Sequence, residues 1–86
     1  MKSFELEIVT PEARVFSGTV QSVQVPGTEG SFQVLYNHAP IISTLGEGKV
    51  KLVDEDGKDQ VFNTQNGVIE VLKNKVIILV EKVIEH

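Results

Sequence analysis

The stretch Val25-Pro26-Gly27-Thr28-Glu29-Gly30-Ser31-Phe32-Gln33-Val34-Leu35-Tyr36-Asn37-His38-Ala39-Pro40 decides how the chain folds, because nothing else in it packs so many position-specific residues together. Pro26 fixes φ for the second position of a turn and Gly27 offers the positive φ of the third, so residues 25–28 read as a type II turn. Gly30 frees a second sharp bend. A short apolar strand follows at residues 32–35, and Pro40 pushes Ala39 toward extended backbone. The expected product is a rigid double-bend loop, not a flexible linker.

Outward from this loop the pattern stays β. Toward the N-terminus, Phe4, Leu6 and Ile8 alternate with Glu5, Glu7 and Val9, the period of a strand with one dry and one wet face. Pro11-Glu12-Ala13 breaks it. Val15-Phe16 starts a second strand that meets Gly18, read as a bulge or corner, and residues 20–25 continue with Val23 and Val25 on one face. Toward the C-terminus, residues 41–45 are a β-branched run ended by Gly46-Glu47-Gly48, and residues 49–53 alternate again. Asp56-Gly57 is a hairpin signal, Asn66-Gly67 reads as a turn into residues 68–72, and Lys73-Asn74-Lys75 as the next tight turn. Residues 76–80 are apolar on both faces, and such a strand must be covered on both sides. Apolar residues at helical spacing are everywhere also β-branched. The expectation is an all-β chain, a small β-sandwich or flattened barrel of about eight to ten short strands.

The 86 residues suit one domain, 1–86, with a single core. At 41% hydrophobic and 23% charged the composition is that of a soluble globular chain. The longest apolar run is far too short to cross a bilayer, so no direct membrane insertion is expected, and no basic N-terminal region leads into an apolar segment as a signal peptide would. Cysteine is absent, which removes disulfides and thiolate chemistry. A net charge of −4 argues against nucleic acid, whose phosphates require clustered Lys and Arg.

The chemical motifs are weak. Gly46-Glu47-Gly48-Lys49 suggests a phosphate loop, but Ser43 stands where the first Gly is needed and Val50 where a hydroxyl is needed. Asp54-Glu55-Asp56-Gly57 resembles half a calcium loop, yet Leu52 and Asn63 occupy its first and last ligand positions, so a hairpin tip is expected. The two histidines, His38 and His86, do not supply a third ligand, and no metal or other cofactor is expected. No serine lies in a nucleophile setting. The chain reads as a non-enzyme. Taken alone, His38 is either a loop cap bonded to nearby backbone or a partner contact, and Glu29 is a solvated turn acid.

Four ordered motifs carry a resemblance across essentially the whole chain. Ile8-Val9-Thr10-Pro11-Glu12, Val15-Phe16-Ser17-Gly18, the Pro26-Gly27-x-x-Gly30 loop and the Asn37-His38-Ala39-Pro40 corner resemble the N-terminal β domain of the ε subunit of F-type ATP synthase. The sequence departs at Gln33 and Tyr36, where that family usually has Gly and Pro, and at Asn66-Gly67, where it has a Gly-Gly corner. Asn is the commonest non-Gly residue at positive φ, so the last departure is expected to keep the geometry.

The resemblance implies a non-catalytic rotor subunit, a β wedge joining the γ shaft to the proton-driven c-ring so that torque passes without slip. It implies ring-side contacts at Thr28, Glu29, Gly30 and Ser31, γ-side contacts at His38 and Ser43, and a corner between them shaped by Ala39 and Pro40. It places the chain peripherally at the cytoplasmic face of a bacterial inner membrane, with the stromal face of a thylakoid as the other setting. The excess apolar face of residues 76–80 would be covered by γ, or by a second copy of the chain when γ is absent. Long family members carry C-terminal helices that block rotation, and some of those bind ATP; the sequence stops at His86, so coupling without inhibition or ATP binding is expected. The competing classes are a lipoyl- or biotinyl-type carrier, whose modified Lys needs flanks that Lys58 and Lys75 lack, and an oligonucleotide-binding barrel, which needs basic and aromatic strand faces.

Overall fold

A computed structural model describes residues 2–84. The chain forms β1 (Phe4–Val9), β2 (Arg14–Val25), β3 (Phe32–Val34), β4 (Ile41–Leu45), β5 (Gly48–Asp54), β6 (Asp59–Leu72) and β7 (Lys75–Ile84), with no helix among the described residues. The strands follow the order β1-β7-β6-β5-β2-β3, β4 lies on β6, and β1 also pairs with β2, which closes the sheet on itself. This is the expected all-β flattened barrel. Its interior is filled by Phe4, Leu6 and Ile8 of β1, valines of β2, β3 and β5, Leu45, Leu52, Ile69, Val71, and Val76, Ile78 and Val80 of β7.

Among the described residues seven strands stand where eight to ten were expected, because two anticipated interruptions do not occur. β6 runs straight through Asn66-Gly67, and neither residue has positive φ. Gly67 serves close approach instead: a Cβ there would collide with the Leu79 carbonyl oxygen and lie 2.8 Å from a Val80 methyl. β2 likewise passes through Gly18 with its register against β1 unbroken. The irregularity against β5 falls between Val20 and Ser22. One extra residue reverses which face the following side chains occupy, and that is how Val20 and then Val23 and Val25 all reach the core.

β4 and β5 lie along the same edge of β6, Ile41 opposite Val71 at one end and Val53 opposite Asp59 at the other. Gly46-Glu47 is therefore a corner within one edge, not a reversal. The two tight hairpins are where the sequence puts them. Lys73 and Asn74 both have positive φ, 49° and 60°, the demand of a two-residue type I′ loop. At the other hairpin Gly57 takes φ 84°, and the Asp54 carboxylate accepts hydrogen bonds from the Asp56 and Lys58 N–H groups at 2.9 Å each.

Candidate interaction surface

Pro26 ends β2, lacking the N–H that a ladder requires, and its carbonyl accepts the Gly46 N–H at 2.8 Å. Gly27 pairs with Leu45 in an isolated bridge. It does not have the positive φ expected of it. Its place is reserved by crowding, since a Cβ would lie 2.6 Å from the Gly30 carbonyl oxygen and 2.9 Å from the Phe32 ring. The turn is shifted to residues 27–30, closed by the Gly30 N–H on the Gly27 carbonyl at 3.0 Å, with Thr28 and Glu29 at its centre. Gly30 supplies the positive φ, 131°.

The tip is fastened to β4. The Thr28 N–H donates to the Thr44 carbonyl at 3.1 Å, and the two threonine hydroxyls share a 2.7 Å hydrogen bond. Thr28, Glu29, Gly30 and Ser31 are all exposed.

β3 then runs back beside β2 with Gln33 opposite Gln24, so Gln33 is an exposed strand residue rather than a bend. The next turn is closed by the His38 N–H on the Leu35 carbonyl at 3.1 Å. Tyr36 holds its second position, where Pro is also favoured, and Asn37 its third, with φ 63°. Substituting Tyr for Pro there leaves the turn intact.

His38 is half-buried, and its Nδ1 lies 2.7 Å from the Ala39 carbonyl oxygen. A carbonyl only accepts, so Nδ1 carries a proton and donates it. Ala39 and Pro40 lead the chain into β4. There Ser43 stands opposite the fully buried Ile69, with its hydroxyl 3.4 Å from the Thr44 carbonyl. The outward-facing residues of β4 are its neighbours Ile42, 73% exposed, and Thr44. Ring-side and γ-side candidates are thus brought to opposite ends of one short strand, with Ser43 on its inner row.

The sequence did not reveal the outer face of β4, β6, β7 and β1. Cross-strand register aligns Thr44, Val68, Leu79 and Val9 in one row. Val9, Pro11, Val68 and Leu79 line an open apolar groove of about 480 Å³, and Pro40, Ile42 and Leu72 line another of about 380 Å³. The signal was the doubly apolar run 76–80. It pointed to Leu79, 48% exposed, but not to the partners that register places beside it.

Among the described residues no three His, Cys, Asp or Glu side chains gather as a metal site, and His86 lies outside them. The Asp54 carboxyl is held below its ordinary pKa, chiefly by the Lys58 N–H. This is turn chemistry.

Residues 3–86 match the family model of the ATP synthase delta/epsilon chain β-sandwich domain. The chain is similar to the ATP synthase epsilon chains of Chlorobium limicola, 45% identical, and Chlorobaculum tepidum, 46% identical, each over 95% of this chain and 93% of the relative. It is 44% identical to the epsilon chain of Campylobacter hominis over 92% of its own length, and there it spans 62% of the relative. Among solved structures it resembles a chain of the Euglena gracilis mitochondrial ATP synthase, with TM-score 0.90, 19% identity, 95% of this chain and 52% of that one. A chain of the Tetrahymena thermophila mitochondrial ATP synthase central stalk and c-ring gives TM-score 0.79 at 18% identity, over 98% of this chain and 67% of that one. At such identities the structural likeness speaks for the fold.

Proposed function

This chain belongs to the ATP synthase delta/epsilon-chain β-sandwich family, and on that premise we propose that it is a non-catalytic central-stalk subunit joining the γ shaft to the c-ring. The observation that carries this reading is its similarity to epsilon chains over nearly their whole length. A carrier domain is not favoured by any of these relatives.

The geometry supports the division of labour between two surfaces. The ring-side contact is assigned to Thr28, Glu29, Gly30 and Ser31, exposed on a turn that the Thr28–Thr44 bonds fasten to a strand. A short fastened turn can bear lateral load. The γ-side contact is assigned to the corner bearing His38 and, beyond Ser43, to the apolar outer face of Ile42, Val68 and Leu79. Exposed apolar patches of this kind mark contact sites. The chain would transmit torque by being rigid and attached at both surfaces, with no chemistry of its own. Its position would be peripheral, at the cytoplasmic face of a bacterial inner membrane.

The test is capture of the chain by γ purified from the same source. Stoichiometric binding at micromolar concentration is expected, with no ATP hydrolysis by the chain alone. Absence of binding removes the main support of the reading.

A further inference from the structure

We propose that Asn37 and Asn74 form a clasp that holds the 35–40 corner in the one orientation its partner reads, which makes Asn74 a positioning residue for the shaft-side contact. This rests on the rotor reading above. The Asn37 N–H donates to Asn74 Oδ1 at 2.7 Å, and Asn74 Nδ2 donates to Asn37 Oδ1 at 2.9 Å. The Asn74 carbonyl accepts the Glu5 N–H at 3.1 Å, so the clasp is anchored in β1 as well as in the β6–β7 hairpin.

Both asparagines sit at positive φ, 63° and 60°. Gly, and less readily Asp, would also satisfy that backbone demand. What Asn alone adds is an acceptor and a donor on one planar group, and both are used here. The other hydrogen bonds of the corner are local, His38 N–H to Leu35 and His38 Nδ1 to Ala39. Leu35, Tyr36, Asn37, Ala39 and Pro40 are exposed, so apolar packing does little to fix the loop. A Lys2 ammonium 5.3 Å from the Tyr36 ring centre adds a weak further tie. Orientation of the corner is therefore delegated to a residue 37 positions from Asn37 along the chain. Without the clasp the corner samples several orientations, and the apparent affinity falls by the fraction that remains competent.

The experiment uses the full chain in three forms: wild type, Asn74→Gly, which keeps the left-handed backbone and removes the clasp, and Asn74→Asp, which keeps the acceptor and loses the donor. Amide exchange at Asn37 is read in the free chain, and affinity for purified γ is read by titration. We expect Asn37 exchange to accelerate roughly fivefold or more in Asn74→Gly, γ affinity to fall about three- to tenfold, and Asn74→Asp to lie between. Melting temperature should fall by several degrees at most. Unchanged Asn37 exchange in Asn74→Gly overturns the clasp, and unchanged γ affinity beside accelerated exchange overturns its positioning role. If wild type itself fails to bind γ, the rotor reading and the positioning role fall together, while the exchange result still decides whether the clasp exists.

Discussion

At the residue scale, glycines do two different jobs that look alike in the sequence. Gly30 and Gly57 supply positive φ, whereas Gly27 and Gly67 leave room for a neighbouring backbone. The Gly67→Ala variant should therefore lose about 2–4 kcal/mol, because its methyl collides with the Leu79 carbonyl and main chain cannot step aside. Urea unfolding measures this. Glu29→Lys, at an exposed turn centre, should leave the melting temperature unchanged and weaken docking to the c-ring, read as lost coupling in reconstituted membranes. Unchanged coupling would return Glu29 to a solvated turn acid.

Asp54 makes a pH-dependent case. Its folded pKa lies below the ordinary value because backbone N–H groups favour the carboxylate. The stabilisation is thus present above the ordinary carboxylate range and lost as pH falls through the folded value. Asp54→Asn should melt lower than wild type at pH 7, and the gap should close in strong acid.

At the element scale, β7 explains how an apolar strand can be stable and still leave work for a partner. Val76, Ile78 and Val80 enter the core, while Leu79 lies on the outer row with Val68 and Val9. The described residues fully cover only one face of this strand. Replacing Leu79 with Ser should cost only about 1 kcal/mol, since the side chain is already half in water. It should weaken γ capture more than any comparable change on the polar face around Gln24, Gln33 and Lys51. Equal effects on the two faces would remove the outer row from the interface.

Across the whole molecule, closure depends on β1, which pairs in parallel with β7 and antiparallel with β2. Phe4, Leu6 and Ile8 are all buried, and burying three such side chains contributes roughly 5–9 kcal/mol. Net domain stabilities are about 5–15 kcal/mol. Deleting residues 1–9 should thus abolish the cooperative melt followed by circular dichroism, not merely fray one edge.

The sequence by itself determined the strand class, the two tight hairpins, the turn-rich loop and the family, because period-two alternation, Asp-Gly and Lys-Asn turn chemistry, and ordered motifs are local facts. It misplaced what depends on neighbours distant in the chain. Whether Asn66-Gly67 bends or runs straight is decided by β7 passing within contact of Gly67, and whether Gly27 turns or pairs is decided by Leu45. The inward row of Ser43 and the outer apolar row follow from cross-strand register, one bulged residue in β2 reverses which faces meet, and the Asn37–Asn74 clasp joins two turns 37 residues apart. Register is set by closing the barrel around one core, so only the tertiary structure could decide it.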